Sequence, residues 1–146
     1  MKRLILCFIY LIFLSVSLRA EKNEGITYRD SILILAESMP SDTARLAYLQ
    51  SMAYCHQYFP YNRYFATALY EEAKRQKNIF YENEGAYYLA GYYDKKHDPD
   101  SLTYWVNELK KYAPEVGTYD YYLEQKAAIS RALASKRQVE KAVYIA

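Results

Sequence analysis

The stretch Ala86 to Pro114, AYYLAGYYDKKHDPDSLTYWVNELKKYAP, decides how this chain folds. Its apolar residues fall at Ala86, Leu89, Ala90 and Tyr93, then at Leu102, Val106 and Leu109. Steps of three and four residues are the period of a helix with one buried face. Between the two runs, Asp98-Pro99-Asp100-Ser101 supplies a turn and a side-chain oxygen able to cap a new helix. Two helices joined by a short turn are therefore expected here. The same reading applied outward places helices at about Tyr28–Ser38, Asp42–Tyr58, Tyr61–Gln76, Ile79–Lys95, Asp100–Tyr112, Tyr119–Ser135 and from Gln138 onward. The breaks between them fall near Pro40, Pro60, Pro99, Pro114 and Gly117; Gly85 and Gly91 add further punctuation. With 4 Gly and 4 Pro in 146 residues, the chain lacks the frequent turns of a β-rich fold. The 19 tyrosines favour strands by propensity, yet Tyr81, Tyr88 and Tyr92 recur at helical spacing, and period outranks propensity.

The pattern repeats. Ala66, Tyr70 and Ala73 recur as Leu102, Val106 and Leu109 at an offset of 36, and as Val139, Val143 and Ala146 after a further 37. The helices before them align as Leu49, Met52, Ala53 and His56, then Ala86, Leu89, Ala90 and Tyr93, then Leu123, Lys126, Ala127 and Ser130. A helix pair of this kind cannot bury its apolar face alone, so neighbouring pairs stack.

These residues resemble the tetratricopeptide repeat. That repeat carries a large-plus-small pair followed by an aromatic on its first helix, then small, aromatic and small positions on its second, with a proline near the end. Leu89-Ala90, Tyr93, Leu102, Val106, Leu109 and Pro114 match in the middle unit; Met52-Ala53, Ala66, Tyr70 and Ala73 match in the one before. The third unit departs, with Lys126 and Ser130 at positions that prefer apolar residues. The spacing also exceeds the usual period of about 34, and the first-helix tryptophan is absent. The resemblance implies an all-α fold of antiparallel helix pairs stacked as a short right-handed solenoid. Its parts would be a cap helix at 28–38 and units at about 42–76, 79–112 and 119–146, all within a domain spanning 21–146.

Residues 1–20 read as a secretory signal. Lys2 and Arg3 precede an apolar run from Leu4 to Leu18, and Ser17 or Ala20 provides a small residue for cleavage. The alternative is an uncleaved membrane anchor, although the run is short for a span of roughly 20 residues. The segment carries three basic residues and no acid, so its removal leaves 16 basic against 17 acidic residues and turns the formal charge from +2 to −1. No basic field remains to hold nucleic acid. An exported protein, periplasmic or extracellular, is expected. Only Cys55 then remains, with no internal disulfide to form; its apolar neighbours suggest a buried thiol.

Nothing in the pattern calls for catalysis, a metal or a cofactor. His56 sits at the aromatic position of its repeat and His97 in a charged turn; neither has further donors at metal spacing. Asp94, Asp98 and Asp100 are interrupted by Pro99 and lack the glycine and closing glutamate of a calcium loop. Glu71, Glu72, Glu82 and Glu84 read as exposed helix faces near Lys74, Arg75 and Lys77.

The family resemblance points instead to a surface, since the first helix of each pair lines a concave groove that takes a protein or peptide partner. Carried across, the groove positions are Gln50, Tyr54, Gln57 and Tyr58, then Tyr87, Asp94 and Lys95, then Glu124 and Arg131. The chain is also similar to the periplasmic repeat region of bacterial sensor and regulatory proteins. The apolar stripe Val139, Ala142, Val143 and Ala146 has no polar closing helix, so a partner, further repeats or a C-terminal membrane and signalling region is expected to follow it. The alternative is an exported protein that binds a glycan or small ligand in a tyrosine-rich groove.

Overall fold

A computed structural model describes residues 27–145, apart from the side chains of 138, 139 and 141–145. The proposed signal segment and the stripe Val139, Ala142, Val143 and Ala146 therefore lie outside the described residues. Among those described, the fold is all-helical, with six helices and no strand: α1 Tyr28–Ser38, α2 Thr43–Cys55, α3 Asn62–Gln76, α4 Ile79–Lys95, α5 Pro99–Val116 and α6 Tyr119–Ile145. None of these helices is long and apolar enough to cross a membrane. Among the described residues, 27–32 belong to one compact unit and those from Leu33 onward form another. In the first, the start of α1 is held by Thr27 and Asp30, whose side chains bond at 2.7 Å.

Short polar signals set the helix ends of the second unit. The Asp42 carboxylate accepts from the Ala44 and Arg45 amides at the head of α2. Asn78 does the same for Tyr81 in α4, and Asp98 for Ser101 in α5. Each caps amides that have no partner inside the helix. Lys77 and Gly117 close α3 and α5 in the left-handed conformation, at φ 55° and 78°. Each is followed by one residue before the next helix begins, so α3–α4 and α5–α6 are joined by two-residue turns. Connections this short reverse the chain and lay successive helices antiparallel.

Helix α4 is the centre of this unit, packing against α2, α3, α5 and α6. Its buried Ala86, Leu89 and Ala90 meet a core built from Leu46, Leu49 and Ala53 of α2, Phe65, Ala66, Leu69 and Ala73 of α3, and Leu102, Val106 and Leu109 of α5. Gly85 is required by packing: a Cβ there would lie 2.8 Å from Tyr70 Cβ and 2.9 Å from Tyr70 Cα. Both Gly85 and Gly91 lie inside α4 and end no element.

Several expectations are corrected. Helix α2 stops at Cys55 rather than Tyr58, with His56 leaving helical geometry at its C-cap. His56 instead folds back, with Nδ1 2.8 Å from Met52 O and its ring among Phe59, Tyr61 and Phe65. Cys55 is exposed, since the neighbouring Tyr54, Tyr58 and Phe59 are themselves turned to solvent. Helix α5 runs past Pro114 to Val116, and that one additional turn matters. The starts of α2 and α4, Thr43 and Ile79, are 36 residues apart, but those of α4 and α6, Ile79 and Tyr119, are 40 apart. The buried face of α6 therefore falls on Gln125, Ala128 and Ala132, while Leu123 is 56% exposed. Lys126 and Ser130 break the apolar pattern because they do not face the core. The region read as two helices after Tyr119 is a single helix of 27 residues.

Glu72, Glu82 and Glu84 are buried rather than on solvent faces. Glu72 accepts from Ser41 Oγ at 2.7 Å and Gln76 Nε2 at 2.6 Å, and pairs with Arg45 and Arg75. A buried carboxylate is tolerable only with such a set of donors. Helical spacing alone cannot reveal partners that arrive from other helices.

Candidate functional site

The strongest candidate is a cavity of about 250 Å³ lined by Gln57, Tyr58, Asn62, Tyr87, Tyr88, Gly91, Asp94, Lys95, Glu124 and Gln125. Four parts of the fold converge on it. The turn after α2 contributes Gln57 and Tyr58, and α3 contributes its first residue, Asn62. One turn after another of α4 presents Tyr87, Gly91 and Asp94, and α6 adds Glu124 and Gln125. Helical spacing explains the α4 contribution, since residues three and four apart share a face.

The charged groups of the lining are already engaged. Lys95 Nζ donates to Gln57 O at 2.8 Å and lies 4.2 Å from the centre of the Tyr58 ring, a cation–π arrangement. Withdrawal from water lowers the Lys95 pKa. Tyr87 Oη donates to Glu124 Oε2 at 3.3 Å, and its ring stacks on Tyr121 at 4.4 Å. Burial, reinforced by the Glu124 carboxylate, pushes the Tyr87 hydroxyl up to about 12. Tyr88 is also raised, first by burial and then by Glu84. Both phenols are therefore neutral donors at ordinary pH. Arg131 pairs with Asp94 at 3.5 Å.

The nine groove positions read from the sequence thus separate. Gln57, Tyr58, Tyr87, Asp94, Lys95 and Glu124 line the cavity. Arg131 adjoins it through Asp94. Gln50 donates to Glu84 Oε2 at 2.8 Å, joining α2 to α4, and is not in the lining. Tyr54 is 60% exposed and also outside it. Comparison with known proteins finds no matching family model, no similar curated protein and no similar solved structure. The chemistry must be read from these residues alone.

Four lining residues were not anticipated: Asn62, Tyr88, Gly91 and Gln125. Asn62 is the first residue of α3, and Gly91 reads as punctuation. Gln125 was hidden by the longer spacing before α6. Among the described residues, no group of three or more His, Cys, Asp or Glu side chains is placed to hold a metal ion.

A larger cleft of about 900 Å³ is lined by Leu33, Ala36 and Glu37 of α1, Arg45 and Leu49 of α2, and residues of α3 including Glu72 and Arg75. Its charges are largely turned on one another. Arg45 donates to the Glu37 and Met39 carbonyls and pairs with Glu72. That arrangement locks the end of α1 to α2 and α3 and leaves one buried donor of the lining, Arg45 Nε, without a partner, against two such atoms in the smaller cavity.

Proposed function

We propose that this chain is an extracytoplasmic, tetratricopeptide-like interaction module that holds a protein or peptide partner on the face formed by its first helices. The observation carrying this reading is the lateral joining of α2, α4 and α6. Helix α4 packs on both of the others, in addition to α3 and α5. Gln50 bonds Glu84, Lys95 bonds Gln57, Tyr87 bonds Glu124, and Asp94 pairs with Arg131. Contact between alternate helices is what stacked pairs require, and it supports reading the fold as a short solenoid. The two-residue turns before α4 and α6 support the same repeat. The face includes Tyr54 and Tyr58, which are 60% and 78% exposed. Tyrosine supplies rigid apolar area with a hydrogen-bonding end, the composition of recognition surfaces.

On this reading, the module serves as the sensing or scaffold part of a bacterial signalling protein. A photo-crosslinking amino acid at Tyr54 or Tyr58 is expected to trap one discrete partner from the cell envelope. Tyr58→Ala and Arg131→Ala are expected to reduce its capture at least tenfold. Equal capture by both variants, or crosslinks only at a control position on α5 such as Lys110, would remove the assignment of this face. Export is tested separately: the envelope form should begin at Leu18 or Glu21 by N-terminal sequencing, and a form retaining Met1 in the cytosol would refute it.

A further inference from the structure

The cavity contains two buried amides whose hydrogen-bonding needs the protein does not meet. Asn62 is 1% exposed and Gln125 6% exposed, and neither Asn62 Oδ1 nor Gln125 Oε1 has a hydrogen-bond partner in the protein. Both residues line the cavity, one from the start of α3 and the other from α6. Buried polar groups are nearly always paired, so two unmet ones on a single cavity call for a ligand or for solvent.

Gly91 provides an independent observation. It lies in the interior of α4 and lines the same cavity. Glycine weakens a helix interior relative to alanine. At Gly85 the tight approach of Tyr70 explains that choice; at Gly91 an added Cβ would meet nothing within 4 Å. Packing therefore does not require a glycine at position 91. Its effect is to leave the cavity open.

The charges then limit the ligand. Asp94 is matched by Arg131, Glu124 by the Tyr87 hydroxyl, and Lys95 by the Gln57 carbonyl and Tyr58 ring. The buried atoms of the lining left with no partner at all are the two amide oxygens, which are neutral acceptors. An amide oxygen accepts, and a hydroxyl can donate to it. Tyr58, Tyr87 and Tyr88 add aromatic surface. At about 250 Å³ the space falls below the roughly 300–1,000 Å³ of drug-sized sites and suits one ring.

We propose that this cavity binds a single neutral pyranose ring, with hydroxyls on Asn62 and Gln125 and space kept by Gly91. The ring is either a free monosaccharide or the end of a longer glycan. The cavity shares Tyr58, Tyr87 and Glu124 with the partner-holding face, but Asn62, Gly91 and Gln125 have no role in that reading, so substitutions at Gly91 and Gln125 test the sugar site separately.

The test is a titration of the full, isotope-labelled chain followed through the side-chain amide resonances of Asn62 and Gln125. The probes are methyl glucoside, methyl N-acetylglucosaminide and the β1,4-linked trimer of the latter, with propylammonium and guanidinium as charged controls. At least one neutral sugar should give saturable shifts that the charged probes do not. Tighter binding of the trimer assigns a glycan end, and equal or weaker binding assigns a free sugar. Gly91→Leu should weaken binding at least tenfold by filling the space. Gln125→Met, which keeps the volume and removes the amide, should do the same. The absence of saturable shifts with every sugar would mean that water serves these amides. That outcome, preference for the charged probes, or sugar binding that survives both substitutions would overturn the proposal.

Discussion

Identical substitutions at Gly85 and Gly91, six residues apart on one helix, should have opposite effects on stability. In each case alanine gains roughly 0.5–1 kcal/mol of helix stability by lowering the entropy lost on folding. At Gly91 nothing opposes this gain, because the new methyl lies more than 4 Å from any neighbour. Gly91→Ala should therefore stabilise the fold by about 0.5–1 kcal/mol. At Gly85 the methyl would lie 2.8 Å from Tyr70 Cβ, 2.9 Å from its Cα and 3.0 Å from its amide nitrogen. These neighbours are tied to the α3 backbone and cannot swing away as a flexible side chain would. Ordinary contact begins at about 3.4 Å, so α3 and α4 must separate by several tenths of an ångström. Overpacking of this kind costs roughly 1–3 kcal/mol. After the helical gain is subtracted, Gly85→Ala should destabilise by up to about 2.5 kcal/mol. Urea unfolding followed by circular dichroism would read both effects as shifts in midpoint at unchanged slope. Shifts of the same sign and similar size at the two positions would refute the close packing of α3 on α4.

Lys77 closes α3 at φ 55°, a conformation glycine adopts without steric penalty. Lys77→Gly should raise stability by about 0.5–1 kcal/mol in the same urea assay, the steric relief being partly offset by a more flexible unfolded chain. Tyr70 Oη donates to the buried Glu108 Oε2 at 3.0 Å, so Tyr70→Phe should cost about 1–3 kcal/mol by withdrawing a donor from a buried carboxylate. A Tyr70→Phe variant as stable as the parent would show that Lys111, the other partner of Glu108, suffices. The Tyr87 hydroxyl rises from 10.0 to about 12 on folding. Its protonated form is favoured in the folded state, so this contribution is fully present below pH 10 and is lost as pH rises towards 12. Alkaline unfolding curves of parent and Tyr87→Phe should differ in that window. Identical curves would count against burial of this phenol.

The sequence by itself determined the helices. Three- and four-residue apolar spacing specified the buried faces of α2 to α5, Asp42, Asn78 and Asp98 capped the starts of α2, α4 and α5, and the bounds expected for α1 and α4 are those observed. These are local effects, set by residues within a turn or two of one another. The sequence also pointed to the face where Gln57, Tyr58, Tyr87, Asp94, Lys95 and Glu124 meet. Only the tertiary structure decided the rest. One additional turn at the end of α5 changed the spacing of α6 and placed Gln125 on the cavity that Asn62 lines from α3, which a constant repeat could not foresee. Glu72 and Glu84 are buried because Ser41, Arg45 and Gln50 reach them from elsewhere. Gly85 and Gly91 look alike in sequence, but one faces the Tyr70 backbone and the other open space. In each case a neighbour distant along the chain decides the outcome, and local spacing carries no record of that neighbour.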